Sequence, residues 1–410
     1  MREQKSFWTS LKGLFSAEKP SKRGVSLGVG STPLAALNAG IDFGVAVNND
    51  SAMKVTAFYA GIRIISENIA SLPRTVRLRG ASIQEVTDHP AYRVISVRPN
   101  PYTTTFAFWA CMVTWMKGWG RAYAWIRRDG AGNPIELHQC HPTWVTVTLV
   151  DGRKWYKVAC PDPDMDFING IHPDEDMLHF FEVSFDGVEG VNPVIYNAAA
   201  LGKSIATEKF ASDFYRNGGS IRAVMEGDGH MTDEEYKKFV DHFHHASGNF
   251  QTPLLEYGIK YKPLAVDPVA AQLVESEVLS IQDVCRILNI PPHMLAELSR
   301  ATFSNIEHQT IQFVQYSLRP VIKRIEVELE AKLFFARERG RYDVKFILDG
   351  LLRGDTAARS AYYHNAILDG YMSRNEVRAL EGLPPAEGLD DYLFPANESV
   401  VGDASQEGVN

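Results

Sequence analysis

Pro291 and Pro292 stand in the middle of a helix-rich stretch, Val266 to Phe335, and no single helix can cross them. Each lacks a backbone donor, and Pro291 holds Ile290 in extended geometry. The stretch must therefore fold as two helices joined by a bend. Before the bend, Asp267 and Pro268 have the form of an N-cap followed by proline at the first helical position, where its missing N–H costs nothing. Leu273, Val274, Val278, Ile281, Cys285 and Leu288 recur at three- and four-residue spacing and share one face. Glu275, Glu277 and Asp283 fall elsewhere, which predicts a helix with an acidic side that ends near Asn289. From His293 to Asn305 the periodicity lapses into a mobile linker that includes Arg300, Thr302, Phe303 and Ser304, and Ser304 or Asn305 can cap the second helix. Ile311, Val314, Leu318, Val321, Ile325, Leu329 and Leu333 then keep a seven-like repeat over roughly 30 residues, about 45 Å of helix. Pro320 lies inside it and predicts a kink near Ser317.

The 410 residues, 45% of them hydrophobic, suffice for two or three domains of about 150 residues each. No run of about 18 apolar residues predicts a membrane span. Phe7, Trp8, Leu11, Leu14 and Phe15 are interrupted by Lys5, Ser10 and Lys12. They read either as a small basic amphipathic helix or as an arm that orders on a partner. Cys111, Cys140, Cys160 and Cys285 form no paired motif and are expected as free thiols. A net charge of −8 argues against a general nucleic-acid surface, so any DNA contact must be local or weak.

Taken in order, Ser21 to Asn49 read as a Gly/Ser/Ala linker. A helix from Ala52 to Ala70 stops at Leu72-Pro73, and a strand covers Thr75 to Leu78. His89 to Val97 is helical, and Phe106, Trp109, Val113 and Met116 mark another helix closed by Gly118. Strands come next at Ala122 to Arg128, Ile135 to Gln139, Trp144 to Leu149, Lys154 to Val158 and Met177 to Val183. Asn192-Pro193 starts a helix running to about Tyr215. An insert comes after it: a strand from Ile221 to Met225, a helix from Thr232 to His245 with Thr232 and Glu235 as capping box, and a strand pair between Pro253 and Leu264. The lone strand Tyr342 to Leu348 must pair with an earlier one. Asp355 opens a helix, Ser373 with Glu376 caps another, and the polar end after Asn397 is expected to be disordered.

Motifs for chemistry fall short. Gly202-Lys203-Ser204 lacks the glycine a phosphate loop needs, because Asn197 stands there. Asp162, Asp164 and Asp166 have calcium-loop spacing, but Phe167 and Pro173 occupy the positions that need glycine and glutamate. His242, His244 and His245 have no carboxylate or cysteine to complete a metal site, and Asp186 with Glu189 reads as a turn.

Several phrases in this order resemble the HK97-like family of bacteriophage portal proteins. They are Ile69-Ala70-Ser71-Leu72-Pro73, Arg98-Pro99-Asn100-Pro101, Gly120-Arg121-Ala122-Tyr123 and the Asp129 to Pro134 turn. Further on come Gly190-Val191-Asn192-Pro193, Ile290-Pro291-Pro292, Arg374-Asn375-Glu376-Val377-Arg378 and Gly382 to Pro385. Gly120-Arg121-Ala122 stands where the family often has Gly-Asn-Ala, and Asn192-Pro193 where it has Ser-Pro.

The resemblance implies an α+β, multi-domain subunit of a ring, usually of twelve copies, around a central DNA channel. It assigns an arm and linker to 1–50, a wing to 51–190, stem helices to 191–217 and 266–289, and a clip to 218–265. A tunnel loop takes 290–305, a long kinked helix with a strand returning to the wing takes 306–352, a helical crown takes 353–396 and a tail takes 397–410. His293, Arg300, Thr302, Phe303, Ser304 and Asn305 would then face the channel from the tunnel loop. Glu275, Glu277 and Asp283 would line it from the stem, and Asp233, Glu234, Lys237 and Lys238 of the clip would meet partner proteins. The implied partners are copies of the chain itself, double-stranded DNA, the terminase large subunit, a head-tail connector and the major capsid protein. The implied place is the virion vertex, reached from the host cytoplasm during assembly, with no catalytic residue, metal or cofactor. A nucleotide-driven packaging motor or nuclease, or a generic head-tail adaptor, is the rival expectation.

Overall fold

The computed structural model describes residues 45–80, 84–216, 223–226, 232–248, 260–263, 269–296, 309–348, 356–381 and 383–393. The expectations for Phe7 to Phe15, for the Asp267-Pro268 and Asp355 helix starts and for the tail after Asn397 lie outside those residues. The expected linker ends earlier than its composition implied, since Val47 is buried and Asn48 caps a short helix, α1 (Asn49–Ala52). Asn48 accepts from the Ser51 N–H while the Ser51 hydroxyl answers the Asn48 N–H, closing a capping box. The next helix, α2 (Thr56–Ser71), begins after a turn rather than at Ala52, with Val55 extended at its N-cap. Phe58, Ile62, Ile65 and Ile69 form its buried face, and extended Leu72 before Pro73 ends it.

Strands β1 (Arg74–Leu78) and β2 (Gln84–Glu85) precede α3 (Pro90–Tyr92), which runs on as a π-helical turn over Arg93–Val97. Helix α4 (Thr105–Trp119) buries Phe108, Trp109, Met112, Val113 and Met116 against α2. The expected stop at Gly118 moves to Gly120. Gly118 stays helical and its carbonyl accepts the Asn49 side-chain amide at 2.5 Å, while Gly120 adopts φ +77 and turns the chain. A Cβ on Gly120 would collide with the Val191 carbonyl, so close approach and left-handed geometry both require glycine here.

Strands β3 (Arg121–Arg128), β4 (Pro134–Cys140), β5 (Val145–Val150), β6 (Arg153–Val158), β7 (Gly170–Pro173) and β8 (Met177–Phe181) form two antiparallel sheets, ordered β4-β3-β8 and β5-β6-β7. β7 carries no strand signal in the sequence, because it is short and holds both Gly170 and Pro173. Asn192 caps α5 (Pro193–Tyr196) through its side chain, but the expected single helix divides at Asn197 (φ −107, ψ 25) before α6 (Ala198–Arg216). In the insert, β9 (Ala223–Glu226) and β10 (Lys260–Pro263) pair antiparallel, with α7 (Asp233–Gly248) between them in sequence.

After α8 (Val269–Leu288) and the bend, helix resumes at residue 309, passes through a π-helical turn over Phe313–Leu318 and continues as α9 (Arg319–Leu333). The disturbance expected near Ser317 is this turn. Strand β11 (Tyr342–Phe346) finds the earlier partner it needs, pairing antiparallel with β1 from Arg74↔Phe346 to Leu78↔Tyr342. Helices α10 (Thr356–Leu368) and α11 (Arg374–Leu380) come last, the latter with the expected Ser373/Glu376 capping box.

The main core gathers α2, α4, β1, β11, α9 and the end of α8. Trp109 is fully buried and donates its indole N–H to the Ile95 carbonyl at 3.1 Å. Burying large apolar side chains is worth about 1.5–3 kcal/mol each, and the bend rests on the larger of the two buried clusters among the described residues. Polar ties fix the register of β11. Asp343 accepts from Arg77 (3.0 Å) and Arg79 (3.1 Å), and Glu326 of α9 accepts from Lys345 (2.7 Å) and the Phe346 N–H (3.1 Å).

Candidate functional site

Helices α6 and α8 pack along one another. Ser204, near the start of α6, donates to the Ala200 carbonyl and lies 3.1 Å from the Ser280 hydroxyl, toward the end of α8. That pairing is one point at which the two helices meet. It also places Lys203 inside a helix, not in a strand-to-helix loop that could cradle phosphate.

The foot of α8 is a joint built from residues far apart in sequence. Asn289 takes a left-handed conformation (φ 57), and the Ile290 N–H returns to the Cys285 carbonyl at 2.9 Å, which closes the helix. Leu288 and Ile290 then plunge into the core at 2% and 4% exposure, where they lie against Gly61 of α2. A Cβ on Gly61 would sit 2.5 Å from Leu288 Cδ1 and 3.2 Å from Ile290 Cδ1, so the missing side chain is the socket that receives them.

A second tie joins the foot of α8 to the helix after the bend. Pro320 has no N–H to offer the Tyr316 carbonyl four residues back. The Asn289 side-chain amide donates to that carbonyl at 3.0 Å, and the Ser317 hydroxyl donates to the Asn289 carbonyl in return. In the sequence Pro320 signals only a kink, although its orphaned acceptor means that some donor must come to meet it. Asn289 is legible as the end of the helix, but its tie to Tyr316 and the socket at Gly61 escape sequence reasoning, because neither belongs to a local pattern.

The bend opens in an ordered way. Pro292–Leu295 form a 3₁₀ turn, with Met294 and Leu295 partly buried against the core, and Ala296 leaves it in left-handed geometry (φ 62). The linker expected from His293 onward is therefore anchored for its first residues, because Met294 and Leu295 find apolar neighbours. His293 Nδ1 lies 2.7 Å from Gln309 Oε1, so the chain's departure at 296 and return at 309 are clamped together. Arg300, Thr302, Phe303, Ser304 and Asn305 fall between those points and outside the described residues.

Of the acidic residues on α8, Asp283 is half-buried and paired with Arg286 one turn on; the side chains of Glu275 and Glu277 are outside the described set. On α7, Asp233, Glu234, Lys237 and Lys238 are all exposed. Thr232 and Glu235 make the expected box, the Thr232 N–H donating to Glu235 at 3.0 Å and the Glu235 N–H to Thr232 at 3.5 Å. The structure thus joins His293 with the foot of α8 and leaves the α7 charges apart on their own surface. Asp162 accepts from the Asp164 N–H in a 3₁₀ turn, and Asp186 accepts from the Val188 and Glu189 N–H groups, both as turn-stabilising side chains. Among the described residues no group of His, Cys, Asp and Glu is arranged to hold a metal.

Comparison with known proteins matches this arrangement to one family. The sequence profile of the phage portal protein family covers residues 56–382. The portal protein of Enterobacteria phage HK97 is 26% identical over 353 residues, 84% of this chain and 82% of the relative. The probable portal protein of Streptomyces phage phiC31 is 29% identical over 376 residues, 88% and 82% of the two chains. Among solved structures, an HK97-family phage portal protein from Corynebacterium diphtheriae superposes with TM-score 0.58 at 13% identity, over 76% of this chain and 99% of its own. A subunit from the neck of a native gene transfer agent particle, computed with C12 symmetry, superposes with TM-score 0.54 at 19% identity, over 82% and 94%. With its fold shared by these structures and the profile running from the first residue of α2 to beyond α11, the chain belongs to the phage portal protein family.

Proposed function

We propose that this chain is the subunit of a closed ring at one capsid vertex, through which phage DNA is packaged and later ejected. Family membership over residues 56–382 is the observation that carries the reading. The C12 symmetry of a related particle neck supports a ring, and head-to-tail contacts between identical subunits close by rotation. The segments then take roles. The sheets with α2, α4 and β11 are the wing, α6 and α8 the stem, β9, α7 and β10 the clip, and α10 with α11 the crown. The excursion between the His293–Gln309 clamp is the tunnel loop, carrying Arg300 to the channel.

The electrostatics fit a passage that must not grip. Each phosphate neutralised by Lys or Arg adds a salt-dependent attraction that resists sliding. Because Arg286 answers Asp283 on its own helix, the repulsion of the stem wall rests on Glu275 and Glu277. Clip charges at Asp233, Glu234, Lys237 and Lys238 meet the terminase large subunit and then the head-tail connector, and the wing faces the major capsid protein. Assembly takes place in the host cytoplasm before the ring is sealed into the virion.

Negative-stain electron microscopy of the purified chain should show rings with a central hole; monomers at every concentration would sink the proposal. Replacing residues 297–304 by a Gly/Ser linker of equal length should leave those rings intact and reduce the DNA retained in particles. Normal genome length and infectivity in that mutant would remove the tunnel-loop assignment. For the rival motor reading, the decisive result is ATP hydrolysis that disappears in Lys203→Ala.

A further inference from the structure

A cleft of about 730 Å³ opens between β6, β8 and the C-terminal half of α9. Arg153, Lys154 and Lys332 line it, together with His179, Phe181 and Glu328. We propose that this cleft seats an acidic polypeptide segment, and that its occupant is residues 394–410 of this chain.

The deepest polar group is His179. Its ring lies between Tyr123, at 4.5 Å, and Phe181, at 4.9 Å, and its Nδ1 is 3.2 Å from the Tyr156 hydroxyl. Its Nε2 is buried and has no hydrogen-bond partner. The Tyr156 hydroxyl has one proton for two neighbours, Asp174 Oδ1 at 3.3 Å and His179 Nδ1; when it goes to Asp174, Nδ1 donates to Tyr156 and Nε2 is an unanswered acceptor, and when it goes to Nδ1, Nε2 is an unanswered donor. Burial keeps this imidazole neutral, and Lys154, Arg121 and Lys332 push in the same direction, so the charges felt most at His179 are cations.

The carboxylates in the cleft offset that field only in part, although exposed Glu175 also lines it. Glu328 Oε1 accepts the backbone N–H of His179 at 3.1 Å, and burial favours the neutral form of this carboxyl. Asp174 is taken up by Lys332. Lys154 stands 5.3 Å over the Phe181 ring and donates to the Val188 carbonyl, and Arg153 is exposed; both lack a carboxylate partner among the ion pairs of the described residues. An apolar floor with Arg153 and Lys154 beside it recognises a carboxylate borne on a partly apolar chain.

The chain supplies one. Beyond Arg378 it has no Lys or Arg, and residues 394–410 combine Glu398, Asp403 and Glu407 with Phe394, Val400 and Val401. At 3.3–3.6 Å per residue this segment reaches roughly 55 Å from Leu393.

Carbodiimide cross-linking of the full-length chain tests the pairing directly. Lys332 to Asp174 should link in every sample as the positive control, and Lys154 or Lys332 should also link to Glu398, Asp403 or Glu407. A control link with no link to the segment overturns the proposal. In a full-length variant with Glu398→Gln, Asp403→Asn and Glu407→Gln, a labelled synthetic peptide of residues 394–410 should bind saturably by fluorescence anisotropy. Adding Arg153→Glu, an exposed site that leaves the fold intact, should weaken that binding about tenfold, the equivalent of about 1.4 kcal/mol. No saturable binding, unchanged affinity with Arg153→Glu, or equal affinity for a sequence-scrambled peptide of the same charge would each reject the assignment.

Discussion

The foot of α8 and the start of α7 are helix ends held by opposite means. At the first, Leu288 and Ile290 are sealed in the core against Gly61, and a side chain 27 residues away in sequence closes the orphaned carbonyl of Tyr316. At the second, a capping box between Thr232 and Glu235 is the tie, and Asp233 to Lys238 all face solvent, with Tyr236 60% exposed. The joint is determined from within by long-range packing. The α7 end is determined locally, which leaves its charges and its tyrosine free to be read by another protein.

Substitutions should separate the two ends by size of effect. Gly61→Val should be the most damaging, since it overpacks a site already filled by Leu288 and Ile290; a loss of about 2–3 kcal/mol, seen as a lowered urea midpoint, is expected. Wild-type stability in that variant would mean that the socket can relax and the comparison fails. Asn289→Ala removes a donor and puts a Cβ-bearing residue without side-chain compensation in left-handed geometry, for a loss of about 1–2 kcal/mol. Asn289→Gly restores the backbone freedom and not the donor, so it should fall between Ala and wild type.

Acid should act on the frame beneath the joint as well as on the α7 cap, where hydrogen bonds from Thr232 hold the Glu235 carboxyl below its usual pKa. Burial works against the Asp343 carboxylate, but hydrogen bonds from Arg77 and Arg79 outweigh it and hold its pKa below the usual value. A depressed carboxylate contributes stability that is present above its unfolded pKa of about 3.9 and disappears as pH falls through the folded value. Denaturation midpoints from pH 6 to pH 2.5 should therefore decline less steeply in Asp343→Asn than in wild type; parallel curves would show that the pair carries no linkage. Smallest of all, Thr232→Ala should speed amide exchange in the first turn of α7 and leave the global midpoint where it was. Lys237→Glu with Lys238→Glu should likewise leave the midpoint unchanged while altering partner capture in assembly extracts.

Legibility in the sequence divides along the same line. The buried face of α2 is readable from spacing, as are Trp109, Val113 and Met116 of α4 and Cys285 and Leu288 of α8, whereas Phe106, expected on the same face of α4, is exposed; the Asn192, Thr232 and Ser373 caps are readable from residue type at a fixed offset, because those signals are local. The need for β11 to find an earlier strand is legible as well, although Arg77, Arg79 and Asp343 set its register only once β1 lies beside it. What escapes is set by neighbours distant in sequence. Gly118 and Gly120 are equal candidates for a helix stop until the Asn49 amide claims one carbonyl and the Val191 carbonyl crowds the other residue. The His293–Gln309 clamp has no signature, since neither residue type announces a partner.

Pro320 is ordinarily counted as damage to a helix, yet here it works as a fastener. By withholding the N–H that an α-helix would offer Tyr316, it leaves an acceptor into which Asn289 hooks. A pull along α8 is then delivered to the middle of the long helix and from there, through Glu326 and Lys345, to strand β11. The load path runs past the excursion at 297–308 without crossing it, so that segment can be lengthened, shortened or exchanged while the frame that bears tension stays as it is.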